Sequence, residues 1–129
     1  MAFDVEERFV AAAEGKLGCR LPESYRAALM ANNGGEVETD DDVWQLHPVL
    51  DSSDRKRIAR TCNDIIRETE AMQEWQGWPE GALAIAANGG GDALVMLRSG
   101  GTCGPEVFHW DHETGEMVEL AGDFGELMA

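Results

Sequence analysis

The chain has 129 residues, with 10 Lys and Arg against 25 Asp and Glu, and its net charge is −15. A surface this acidic repels phosphate backbones and anionic lipid head groups, which excludes nucleic-acid or membrane binding as its main task. The chain has three cysteines, Cys19, Cys62 and Cys103. They lack the C-x-x-C spacing of zinc sites, and their odd number and wide separation do not suit a disulfide framework. We therefore expect one cytoplasmic domain spanning residues 1–129, with reduced thiols and no export signal.

The first half of the sequence predicts two helices followed by two short strands. Apolar side chains recur every three or four positions over residues 5–17, which indicates an amphipathic helix. A second helix is predicted to begin at Pro22 and to stop at Asn33-Gly34-Gly35, so that the two helices form a hairpin. Residues 36–38 and 43–46 are strand candidates, and we expect them to form a small hairpin or the edge of a sheet.

The second half predicts one long helix, four strands and a short terminal helix. An apolar stripe from Ile58 to Trp75 indicates a helix over residues 53–75, capped by Asp51, Ser52 or Ser53. Strand candidates separated by glycine-containing connections follow at 83–86, 93–97, 106–110 and 117–120. A helix over 123–128 would close the domain. The pattern predicts an α+β fold, with a mostly antiparallel sheet of about six strands and helices packed against it, in the order ααββαββββα.

Two glycine-rich segments are candidate binding loops. The first connects two predicted strands and consists of Asn88, Gly89, Gly90, Gly91 and Asp92. It lacks the Lys-Ser/Thr ending of a phosphate-binding loop and leads into a strand, so we interpret it as a tight connection that needs positive φ, with Asp92 capping the turn. The second spans residues 99–105. Both loops are secondary candidates for contact with a partner or ligand.

No group of residues predicts an active site. His109, Asp111 and His112 include the ligand types of metal and acid–base sites, but on a strand the two histidines would point to opposite faces. Cys103 has no neighbouring His or Lys that would lower its pKa. Trp110 is expected in the core. The sequence therefore predicts a protein without catalytic residues, metal or cofactor.

A dense run of carboxylates is the leading candidate for protein binding. It comprises Glu36, Glu38, Asp40, Asp41 and Asp42, with Trp44 as a possible aromatic anchor beside them. Such a field destabilises the folded state by self-repulsion and accelerates association with a basic macromolecule. The alternative interpretation is a solvated loop beside a buried Trp44. Charge alone thus favours an acidic protein-binding module.

The order of several short motifs resembles a known family, the SUKH superfamily of the Smi/Knr type. In the first half the resemblance rests on Leu17-Gly18, Leu21-Pro22-x-x-Tyr25-Arg26 and Asn33-Gly34-Gly35. In the second half it rests on Trp78-Pro79, Leu83-Ala84-Ile85-Ala86, Gly91-Asp92, Val107-x-x-Trp110-Asp111-His112-Glu113 and Leu120-Ala121-x-Asp123-Phe124-x-Glu126-Leu127. One departure is Met96-Leu97-Arg98, where many relatives carry an acidic residue.

This resemblance implies a non-enzymatic binding protein with an α+β fold. Many bacterial members resemble immunity proteins that neutralise toxins of contact-dependent or polymorphic toxin systems, while fungal relatives act in cell-wall signalling. The expected partner is a basic toxin domain such as a nuclease, whose substrate cleft an acidic protein can occupy. The alternatives are a regulatory scaffold for endogenous proteins and a small-molecule sensor with a pocket near the glycine loops.

Overall fold

The computed structural model describes residues 3–39 and 42–127. Its helices are α1 (Glu7–Leu17), α2 (Glu23–Ala31), α3 (Arg55–Thr61), α4 (Ile65–Met72) and α5 (Phe124–Leu127). Its strands are β1 (Glu36–Thr39), β2 (Asp42–Leu46), β3 (Ala82–Ala87), β4 (Ala93–Ser99), β5 (Thr102–Cys103), β6 (Val107–Trp110) and β7 (Met117–Ala121). Each strand candidate from the sequence is present, and β5 is an additional short strand.

The strands form one antiparallel sheet, which confirms the predicted α+β class. Their order is β1-β2-β3-β4-β6-β7, with β5 paired to β4 beside this path. Every strand in the path therefore pairs with its neighbour in sequence once the short β5 is set aside. Short connections join most of these neighbours, as antiparallel pairing allows, whereas α3 and α4 lie in the long connection between β2 and β3.

Apolar side chains are buried on both faces of the sheet. The larger core lies between the sheet and helices α1, α2 and α5, and includes Tyr25, Leu94 and Phe124. The smaller core on the other face contains Val95 and Trp110. Trp110 is fully buried, as the sequence predicts. Burial on both faces explains the uninterrupted apolar run of β4, since alternation is needed only where one face meets water.

The single helix predicted over 53–75 is wrong, because two short helices occupy this region. Asp54 caps α3 by accepting a hydrogen bond from Arg57 N, and Asp64 caps α4 by accepting one from Arg67 N. Each aspartate starts a new helix, and the proposed caps at 51–53 are not used. The apolar stripe does not lie on one buried face either, since Ile58 is 42% exposed.

The junction between helices and sheet depends on α4. Thr69 Oγ1 accepts a hydrogen bond from Ala84 N at 2.9 Å, so α4 satisfies a donor of β3 where β2 no longer pairs with it. Ile65 N donates to Pro48 O at 2.9 Å and ties the start of α4 to the segment after β2. Within residues 3–39 and 42–127, no helix is long and apolar enough to span a bilayer.

Candidate functional site

The β1–β2 hairpin presents an acidic outer face. Gly35 O accepts a hydrogen bond from Leu46 N at 2.8 Å, which closes the open end of the hairpin. Glu36 lies opposite Gln45 in the register, and Gln45 Nε2 donates to Glu36 Oε1 at 3.2 Å. Glu38 lies opposite Val43, and both side chains are exposed. Period-two alternation therefore places two of the predicted carboxylates side by side in solvent.

Trp44 lies on the inner face of this hairpin and is fully buried. Its Nε1 donates to Thr39 Oγ1 at 3.0 Å, and its ring meets the His109 ring edge-on at a centroid distance of 5.0 Å. The expectation that Trp44 anchors a partner is wrong, because its indole has no exposed surface. Val43, which is 46% exposed, is the apolar side chain that the outer face offers instead.

The hairpin and the first glycine loop meet in one surface. Asp42, which is half-buried, accepts a hydrogen bond from Asn88 Nδ2 through its Oδ2 at 3.2 Å. Asp40 and Asp41 lie outside the described residues. We call the surface formed by Glu36, Glu38, Asp42, Val43 and residues 88–92 the candidate interface. The two regions that the sequence identified separately are thus neighbours in the fold.

A groove runs beside the candidate interface. It has a volume of about 680 Å³ and extends from Val43 and Gln45 to Asn88 and Gly89. The opposite wall comes from α3, α4 and the residues between them, and carries Arg60, Asn63 and Glu68. The surface is therefore concave at this point, which provides room for a protruding side chain of a partner.

Asp92, at the end of the glycine loop, binds two histidines. His109 Nε2 donates to Asp92 Oδ2 at 2.8 Å, while His112 Nδ1 and His112 N both donate to Asp92 Oδ1. The His112 ring also packs against Gly91, whose φ is +107° and where a Cβ would approach the ring carbons to 3.0 Å. The glycine loop is therefore held to the β6–β7 turn by this Asp–His cluster, composed of Asp92, His109 and His112.

Electrostatics favour the ionised form of Asp92 in this cluster. Burial opposes ionisation, but the hydrogen bonds from His109 and His112 outweigh it and hold the pKa of Asp92 at about 2. The same hydrogen bond raises the pKa of His112 above its usual value. Both shifts favour a charged Asp92–His112 pair, which holds the glycine loop to the β6–β7 turn.

Asp111 brings a further carboxylate to the Asp–His cluster. One ligand atom each from Asp92, Asp111 and His112 lies within 4.8 Å of the others, a donor set that could hold a divalent cation. However, Asp111 Oδ1 already accepts from Glu113 N at 2.8 Å, and both oxygens of Asp92 are bonded to histidines. The turn and the loop thus account for these groups, and we assign no metal to them.

Sequence reasoning missed the convergence of the two histidines because it extended strand alternation too far. Strand β6 ends at Trp110, so His112 lies in the following turn, where strand alternation no longer directs its side chain to the face opposite His109. The register Ala93 opposite Trp110 places Asp92 beside this turn. Pairing of the strands predicted at 93–97 and 106–110 would have indicated the contact between Asp92 and the histidines. The positive φ values of Gly89 and Gly91 confirm the interpretation of the loop as a tight connection. The expected cap by Asp92 is wrong, because Asn88 Oδ1 accepts from Gly90 N at 2.8 Å while the Asp92 carboxylate binds the histidines.

Nearly the whole chain matches one protein-family model. The model of the SMI1 / KNR4 family (SUKH-1) matches residues 5–129. The chain belongs to this family. The match covers every described helix and strand, including the β1–β2 hairpin and the Asp–His cluster of this SUKH-1 protein. A search of curated proteins found no match.

Proposed function

We propose that this SUKH-1 protein is a cytoplasmic immunity protein, which binds a cognate toxin through the candidate interface and neutralises it. Its family is compatible with immunity and regulatory binding modules. The observation that carries the proposal is the joining of the acidic hairpin to the glycine loop through Asp42 and Asn88. One continuous surface thereby offers exposed carboxylates, an exposed valine and a groove to a partner.

The chemistry of this surface selects a basic partner. Glu36 and Glu38 are exposed, and the whole chain carries a net charge of −15. A field of this sign attracts a positively charged surface before contact and raises the association rate, most strongly at low ionic strength. A toxin domain with a basic substrate cleft, such as a nuclease, fits this description. Occupying that cleft would block the substrate.

The reactive side chains that could suggest catalysis are either buried or engaged in structural contacts, which supports a binding role. His109 and His112 both hydrogen-bond to Asp92. Burial raises the pKa of the Cys103 thiol to about 12, so the thiolate form is scarce near neutral pH. Neither group matches the activated nucleophile or poised base of an enzyme.

Co-expression with a candidate toxin domain, chosen from the genes that neighbour this one, tests the proposal. We expect the protein to restore growth of the cells and to copurify with the toxin domain. A toxin that remains lethal and forms no complex would refute the immunity role. Capture of an endogenous regulatory protein instead would favour the scaffold function.

A pair of charge variants tests the interface itself. The double variant Glu36→Gln/Glu38→Gln should slow association with the toxin domain by about tenfold at low salt and flatten its salt dependence. The control Glu70→Gln/Glu74→Gln changes the net charge equally at exposed positions of α4 and the residues after it. Equal association rates for both double variants would show that the candidate interface does not contact the toxin.

A further inference from the structure

Strand β7 exposes an unusual amount of apolar surface. Val118 is 60% exposed, Leu120 is 39% exposed and Met117 is 36% exposed. These are half of the large hydrophobic side chains that are exposed in the described part of the chain, and they lie within four consecutive residues. Scattered exposed apolar residues are ordinary, but Val118 and Leu120 are neighbours on one face of an edge strand, and adjacent exposed apolar side chains mark a contact surface.

The main chain of β7 is open on the side away from β6. In the described sheet β7 is the last strand of the path and pairs only with β6. Asp111 N donates to Glu116 O at 2.9 Å, which defines the start of the ladder. Because hydrogen-bonded and non-bonded pairs alternate in an antiparallel ladder, Met117 and Glu119 direct their N–H and C=O groups outward. The edge is therefore ready to pair with another strand.

The exposed side chains of β7 determine which residues an incoming strand must carry. Val118 and Leu120 are on one face of β7, whereas Met117 and Glu119 are on the other. An incoming strand with aliphatic residues would pack against Val118 and Leu120. A Lys or Arg opposite Glu119 would form a favourable cross-strand pair, while an acidic residue there would be repelled.

We propose that β7 binds an extended segment of a partner protein by strand addition, and that this segment alternates basic and aliphatic residues. Main-chain hydrogen bonds to Met117 and Glu119 supply the affinity, and the exposed side chains supply the selectivity. A second copy of the chain is a poorer occupant, since it would bring together two chains of net charge −15, each with Glu119 at the edge. The proposal does not rest on the immunity function, because β1 and β7 are opposite ends of the strand order.

Amide hydrogen exchange with a synthetic peptide tests this proposal. The probe is a capped hexapeptide of alternating lysine and valine, added to isotopically labelled protein. We expect exchange at the amides of Met117 and Glu119 to slow by about tenfold, because both become hydrogen-bonded. A peptide of the same sequence, N-methylated at the residues that would donate to β7, keeps the charge and should give no protection.

Two variants separate the main chain from the charge. Glu119→Pro removes an outward N–H without removing a hydrogen bond to β6, and should abolish peptide binding. Glu119→Gln keeps the N–H and should weaken binding by about threefold through loss of the charge pair. Equal binding of the N-methylated peptide to the unaltered protein would overturn the proposal even if Glu119→Pro failed to fold. Protection of Met117 that rises with protein concentration in the absence of peptide would also overturn it, in favour of a second copy.

Discussion

Replacing Asp92 with asparagine should destabilise the fold and change its pH dependence. Asp92 accepts hydrogen bonds from His109 and His112, which join the glycine loop to the β6–β7 turn. Asparagine preserves the size of the side chain but removes its charge and one acceptor oxygen. The substitution therefore tests the electrostatic contribution of the Asp–His cluster with little change in packing.

The pKa of Asp92 sets the magnitude of this effect. Its value falls from 3.8 to about 2, and each unit corresponds to roughly 1.4 kcal/mol. The side chain is 18% exposed, so screening by solvent reduces the contribution to about 1–2 kcal/mol. This stabilisation is present above the ordinary pKa of 3.8 and is lost as the pH falls towards 2.

Protonation of His112 makes the free energy of unfolding depend on pH in a second, higher pH range. The hydrogen bond to Asp92 raises the pKa of His112, so its stabilising contribution is complete below the usual histidine pKa of about 6.5. That contribution is lost as the pH rises through the raised value in the folded protein. In Asp92→Asn this loss should largely disappear, because asparagine does not favour the charged imidazolium.

Urea unfolding at pH values from about 2 to about 9 measures both effects, because this range extends about 2 pH units beyond the ordinary pKa values of aspartate and histidine. The Asp92→Asn, His112→Gln and double variants complete a mutant cycle, and we expect a coupling energy that is largest between the two pH ranges. A coupling energy near zero at every pH would refute the inference that the hydrogen-bonded pair is ionised. Circular dichroism of each variant establishes that it is folded before urea is added.

Two further predictions concern packing around this region. Trp110 is fully buried and donates from Nε1 to Gly77 O at 3.1 Å, so Trp110→Ala should cost about 3–5 kcal/mol in urea unfolding; a loss below about 1 kcal/mol would contradict its place in the core. Gly91→Ala should be more destabilising than Gly89→Ala. A Cβ at Gly91 would lie 3.0 Å from the His112 ring, whereas a Cβ at Gly89 would have no described atom within 4 Å beyond its chain neighbours. Both positions have positive φ, so equal losses of stability would show that contact with His112 is unimportant.

Local pattern was sufficient to predict most of the elements. Period-two alternation in residues 36–38 and the apolar run at 93–97 correspond to β1 and β4. Pro22 precedes α2, where its fixed φ suits the start of a helix. The pattern failed over residues 53–75, where a stripe of apolar residues concealed two aspartate caps. Hydrophobic spacing alone did not reveal where one helix stops and another starts.

The sequence by itself determined the class of the fold, the order of its strands along the chain, the acidic charge and the burial of Trp110. These properties depend on neighbouring residues and on total composition. Tertiary structure decided that Trp44 is buried, that Asp92 joins two histidines and that β7 is left as an open edge. The physical reason is that each of these depends on register and strand order, which result from packing between segments far apart in the chain.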